Sequence, residues 1–144
     1  MIRHLAGLAD IVEDVNEALK FYRDTLGLEV KEQDGDDYAV LIVPGVLHFG
    51  VWSRAHAAQC MFGDRAAVDR VPLGCTLEFE VDSVDETAAH LKDSDWPVPQ
   101  GPQTEPWDQK TCRVLSPGGG VLGFAETPWG RKLVKHAEVE AGDG

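Results

Sequence analysis

Positive charge is scarce in this chain: 13 Lys and Arg stand against 25 Asp and Glu, a formal charge of −12. Such a surface repels phosphate backbones, so nucleic acid is not an expected partner. Cysteine is scarce too. The three present, Cys60, Cys75 and Cys112, are odd in number and show no C-x-x-C spacing, which argues against a disulfide framework and a zinc knuckle. No apolar run approaches the roughly 18 residues that a membrane span needs. The opening Met1-Ile2-Arg3-His4 lacks the apolar core of a secretory signal. The expectation is a cytoplasmic chain with free thiols and no membrane partner. Its acidity reads either as generic solubility or as a preference for a cationic small molecule.

What is present is globular. At 144 residues, 43% of them hydrophobic, the chain is long enough for one domain with a real core. An internal repeat organises it. Asp14-Val15-Asn16-Glu17 and Ser83-Val84-Asp85-Glu86 each place a short polar cap three residues before Glu, the form of a capping box. Val15, Ala18, Leu19 and Tyr22 then share one helical face, as do Val84, Thr87, Ala88 and Leu91. The helix starts, at 14 and 83, lie 69 apart. Before the second helix, Leu77-Glu78-Phe79-Glu80-Val81 alternates as a half-buried strand should. Leu8 to Val12 is its weaker counterpart. Downstream, Val46-Leu47-His48-Phe49 echoes Val121-Leu122-Gly123-Phe124 at an offset of 75, so the second copy is expected to carry about six extra residues. Residues 54–73 read as a linker with one short helix, a lid over a cavity.

Residues 14–28, carrying Phe21-Tyr22 and ending at Leu26-Gly27, resemble the first-helix signature of the glyoxalase/bleomycin resistance protein/dioxygenase superfamily. Residues 79–85 and 115–122 look like its second-module counterparts, with Ser116-Pro117-Gly118-Gly119 in place of the usual Asp-Pro-Asp-Gly turn. The resemblance implies an α+β fold of two tandem βαβββ modules whose curved mixed sheets enclose a cavity. The modules would span about 4–53 and 74–128 within a single domain over 1–130, followed by a polar tail at 131–144. In the family's metalloenzymes, ligands come from the start of each module's first strand and from each module's last strand. Carried over, those positions are Gly7, Thr76, Gly123 and, through the repeat, His48. One imidazole cannot hold a catalytic ion against water, so neither metal nor other cofactor is expected. A one-residue slip would recruit Asp10 or Cys75 but turn the strand's apolar face outward. His4, His56, His90 and His136 are read as adding no helical donor pair.

Strand parity picks the candidate ligand-binding residues, and each keeps a plain alternative. With Leu47, Phe49 and Val51 under the helix, His48, Gly50 and Trp52 face the cavity. His48 is a bonded wall residue or a polar anchor. Thr76, Glu78 and Glu80 share the opposite face from Leu77, Phe79 and Val81. Glu78 is either bridged to Arg113 or Lys110, or is a carboxyl of raised pKa suited to proton transfer or to gripping a cation. Trp52 and Trp107 are core, or stacking surfaces. The run Gly118-Gly119-Gly120 is a turn, since no helix follows to bind phosphate. Parity places Asp10 under the first helix, an irregularity the sequence does not explain.

Resemblance to the drug-resistance branch implies a metal-independent, homodimeric protein that binds a small aromatic or cationic compound. The alternative is a lyase, isomerase or dioxygenase of the same superfamily with an atypical site, or acid–base work by Glu78 and His48; no catalytic residue is assigned. A protein-association module has only the Ala-rich linker in its favour.

Overall fold

The computed structural model describes residues 2–117 and 119–129. Gly118, His136 and the expected polar tail at 131–144 lie outside the described residues.

The first module runs β1 (Ile2–Val12), α1 (Val15–Leu19), β2 (Glu29–Asp34), β3 (Tyr38–Ile42) and β4 (Phe49–Ser53). The second repeats the order as β5 (Gly74–Val81), α3 (Val84–Asp93), β6 (Gln100–Thr104), β7 (Lys110–Leu115) and β8 (Val121–Glu126), with α2 (Arg54–Phe62) between the two. Both sequence-marked caps form. The Asp14 carboxylate accepts from the Glu17 amide at 3.0 Å, and the Ser83 hydroxyl accepts from the Glu86 amide at 3.1 Å. Such a bond satisfies one orphan donor of the first turn and contributes about 1 kcal/mol. Helix α1 widens into a π-helical stretch at Lys20–Thr25 and stops where Gly27 takes φ 75°, a left-handed geometry that glycine adopts without steric cost.

The eight strands form one sheet in the order β2-β3-β4-β1-β5-β8-β7-β6. Strands β1 and β5 run antiparallel through its middle, while β1 pairs with β4 and β5 with β8 in parallel. The sheet curves, and the two modules flank its central seam as near-equivalent halves. Helix α1 covers the convex face of one half, where Val15 and Leu19 pack on Ala39, Leu41 and Val51. Helix α3 covers the other, with Val84 and Ala88 on Val81, Cys112, Val114 and Phe124. Fully burying a Val or Leu contributes about 1.5–3 kcal/mol, so these two faces hold the modules to their helices.

The register corrects the repeat alignment. Leu8 pairs with Phe49 and Leu77 with Leu122, so β5 lies 69 residues after β1 but β8 lies 73 after β4. Gly123 therefore corresponds to Gly50, not to His48, and the second copy carries four extra residues, not six. Matching the Leu-x-Phe strings misled because two residues of slip preserve strand parity.

The segment expected as a lid is a fixed end wall. Ser53 caps α2 through the His56 amide at 3.0 Å and Gly63 ends it at φ 72°. Ala57, Ala58 and Met61 are buried against Ile11, Val71 and Val121, with Trp52 packed alongside. Ile11, Trp52 and Val121 share the concave parity of Ala9, Gly50 and Gly123, so α2 plugs one end of the trough. None of residues 54–73 lines the cavity that remains.

Candidate functional site

The concave face holds a cavity of about 120 Å³. His48, Trp52, Thr76, Glu78 and Trp107 all lie on its wall. Sheet pairing aligns the central positions in a row: His48 beside Gly7, Gly7 opposite Glu78, Glu78 opposite Gly123, and Gly123 opposite Arg113. The glycines are what keep this row open. A Cβ on Gly7 would meet the His48 Cβ at 3.2 Å, and one on Gly123 would meet the Glu78 Cγ at 3.4 Å. Thr76 stands one pair further along, opposite Ala9, and is buried.

The two halves of the wall differ in chemistry. The second module's concave side is a bonded polar cluster. Arg113 donates from Nη1 to Gln100 Oε1 at 2.5 Å and to Glu105 Oε1 at 2.9 Å. Glu105 also accepts from Gln103 at 3.0 Å and Thr111 at 2.9 Å. Two bridges cross the trough to the first module. The Arg113 guanidinium lies over the Trp52 ring at 5.0 Å, within cation–π range. Trp107, on the β6–β7 turn, meets Tyr38 edge to face at 6.1 Å. Its indole N–H donates to Gln109 Oε1 at 3.0 Å, and Gln109 donates to the Thr127 hydroxyl at 2.7 Å.

Neither cation expected as a partner for Glu78 engages it. Arg113 is held by Glu105 and Gln100, and Lys110 reaches Asp85 on the outer surface. Glu78 Oε1 is buried with no hydrogen-bond partner among the described residues, although the residue faces the cavity. Burial therefore pushes its pKa up; the nearby Arg113 charge pulls it down, Glu80 and Glu105 raise it again, and the Gln109 amide lowers it. His48 is shifted the other way. Burial, with Lys31 adding to it against Glu32, lowers its pKa and keeps the imidazole neutral at physiological pH. Its ring also touches Trp129, 5.8 Å between centroids.

Asp10 has an explanation that strand parity could not supply: Tyr22 of the widened α1 turn donates its hydroxyl to Asp10 Oδ2 at 2.6 Å. His56 and Cys60 do stand one helical turn apart, 3.9 Å between Nε2 and Sγ, correcting the expectation that no histidine has such a neighbour. Their roles are structural. The Trp52 indole donates to His56 Nδ1 at 2.9 Å, and burial drives the Cys60 thiol up to about 11. Tyr38, Gln109 and the Glu105–Arg113 pair were missed as site residues. Alternation along Tyr38-Ala39-Val40 would have found Tyr38, because it pairs with Trp52.

The donor set does not fit a divalent ion. No group of three His, Cys, Asp or Glu converges among the described residues. His48 and Glu78 sit on either side of the Gly7 strand, about 10 Å apart by strand spacing, with glycine at the neighbouring positions. A catalytic ion needs at least three protein donors.

Paired βαβββ modules closing one curved sheet around a side-chain-lined cavity define a class of α+β proteins built by internal duplication. The chain belongs to the Glyoxalase/Bleomycin resistance protein/Dioxygenase superfamily, whose family model matches residues 2–124. A Vibrio splendidus 12B01 member of that superfamily is similar in structure, with TM-score 0.60 and 18% identity, covering 88% of this chain and 100% of that one. Streptomyces coelicolor methylmalonyl-CoA epimerase, solved as a variant in complex with 2-nitronate-propionyl-CoA, gives TM-score 0.59 at 17% identity, covering 89% and 99%. NAD-dependent benzaldehyde dehydrogenase from Legionella pneumophila gives 0.58 at 19% identity, covering 83% and 96%. These likenesses carry the fold alone. The comparison with curated proteins found no match.

Proposed function

We propose that this protein binds a small aromatic or cationic compound in the concave cavity without using a metal ion. One observation carries the reading: among the described residues the central row offers only His48 and Glu78 as metal donors, separated by the Gly7 strand, while Trp52, Tyr38 and Trp107 supply aromatic surface around them. Aromatic walls with one or two fixed polar groups are the usual makeup of a small-ligand pocket. The cavity is lined by both modules of one chain, so binding needs no second subunit. A homodimer belongs to the same proposal, since Leu5, Leu77 and Phe21 are 43%, 44% and 53% exposed; light scattering reads the mass directly. Thermal unfolding with Mn²⁺, Ni²⁺, Zn²⁺ or chelator tests the central claim. The melting temperature stays unchanged if the reading is right. Stabilisation by several degrees, as expected of an ion that binds the native state, overturns it.

Acid–base catalysis is the second reading, favoured by the raised proton affinity of Glu78 at the cavity wall. Methylmalonyl-CoA epimerase, an isomerase, is among the structures of similar fold. In that case Glu78→Gln abolishes turnover of a candidate substrate and leaves its binding intact.

A further inference from the structure

Most polar groups on the second module's side of the trough spend their hydrogen bonds on one another. Arg113 is charge-paired with Glu105, bonded to Gln100 and covered by Trp52. Gln109 accepts from Trp107 and donates to Thr127, and its amide also acts on the Glu78 carboxyl, whose Oε1 it leaves without a partner. Glu105 accepts three hydrogen bonds. Of the cavity-lining side chains, Glu78 carries the buried atom, Oε1, that has no donor among the described residues. A second acid, Glu32, lines the same space. A carboxylate ligand would thus meet two acids and a cation already neutralised, whereas an ammonium would meet an acceptor that lacks a partner.

Size narrows the choice further. The cavity measures about 120 Å³, close to the roughly 150 Å³ that accommodates a benzene ring in an engineered protein core. One six-membered ring with a short arm fits that space. Tyr38 and Trp107 present their rings at the wall, and aromatic surfaces favour both stacked rings and cations.

We infer that the cavity takes a single-ring arylalkylamine in its ammonium form, its ring against Tyr38 and Trp107 and its N–H on Glu78 Oε1. This rests on the binding function proposed above and specifies its ligand class. Charge balance adds a linked proton. Glu78 is faced by Arg113 from β7, Glu105 from the end of β6 and Glu80 from its own strand, with His48 and Glu32 on the first module's wall. Burial, Glu80 and Glu105 raise the proton affinity of Glu78 against Arg113 and Gln109, so an ammonium that pairs with the carboxylate displaces to solvent the proton it competes with. Affinity for the cation therefore rises with pH.

Calorimetry on the full chain with benzylamine, benzyl alcohol and benzoate, at pH 6 and pH 8, tests this. Benzylammonium is expected to bind about tenfold or more tighter than benzyl alcohol, the advantage of a charged hydrogen bond, and tighter at pH 8, with proton release seen as a buffer-dependent enthalpy. Glu78→Gln removes both the preference and the pH dependence, its melting curve establishing that it is folded. Equal binding of the alcohol, or a preference for benzoate, overturns the ammonium assignment and leaves the binding cavity standing. Failure of all three compounds, with stabilisation by added metal ions, overturns the binding proposal as well.

Discussion

Glu78→Gln should stabilise this protein at neutral pH and leave it unchanged in acid. The carboxyl and the amide are nearly the same size, so the cavity wall keeps its shape and the effect isolates the charge. In the folded chain Glu78 Oε1 is buried without a donor among the described residues, and burial raises the pKa of the carboxyl; in the unfolded chain the group titrates near the ordinary value of about 4.3. A raised folded-state pKa means the native state binds the proton more tightly. The stabilising contribution is thus fully present below about pH 4 and is lost as pH rises through the folded-state value. Above that value, an unsatisfied buried polar group costs about 1–3 kcal/mol, more when charged. At 144 residues, 1 kcal/mol corresponds to roughly 3 °C in melting temperature. Glu78→Gln is accordingly expected to melt about 3–10 °C above the parent at pH 8 by calorimetry, converging with it near pH 4. A variant less stable at pH 8, or one whose advantage does not depend on pH, would show that the carboxylate has a partner and that the cavity is not tuned as described.

Arg113→Met leaves Glu105 buried without its cation, and urea unfolding should report a loss of about 3–5 kcal/mol; adding Glu105→Gln should recover most of it. Tyr22→Phe removes the 2.6 Å bond to Asp10 and should cost about 1–3 kcal/mol in the same assay. Gly7→Ala places a Cβ 3.2 Å from the Cβ and carbonyl oxygen of His48. Since that carbonyl also accepts the Leu8 amide at 3.0 Å, His48 has little room to yield. Overpacking of this kind costs about 1–3 kcal/mol, and the His48 ring signals should shift in NMR.

The duplicated architecture was legible in the sequence because both helices announce themselves locally. A capping residue, a Glu three positions on and an apolar face at helical spacing are all read within one stretch of chain, and Asp14 and Ser83 cap as expected. The orientation of the inner-face residues was legible too, because strand parity is fixed by the alternation Leu77-Glu78-Phe79-Glu80-Val81. What was not legible is register. A slip of two residues preserves parity, so Gly123 was matched with His48 when hydrogen bonding pairs its row with Glu78 and Arg113. Partners across the trough were hidden for the same reason. Trp52 over Arg113 and Tyr38 against Trp107 join residues far apart in sequence, and nothing local in either segment marks them.

The same register explains why two copies of one unit make a single cavity with unlike walls. In the first module the central concave positions are Gly7, Ala9 and Gly50, which leave space. In the second, the structurally equivalent positions include Glu78, equivalent to Ala9, and Gly123, equivalent to Gly50. Arg113, Gln100, Thr111 and Glu105 then fill the outer part of that half and satisfy one another. With alanine at position 78 the central row would keep His48 and lose its acid. Glutamate there, beside a glycine that leaves its side chain room, places one acid where the duplication left an opening. The ligand preference proposed for this protein depends first on that departure from the symmetry of its own repeat, with Glu32 adding a second acid to the wall.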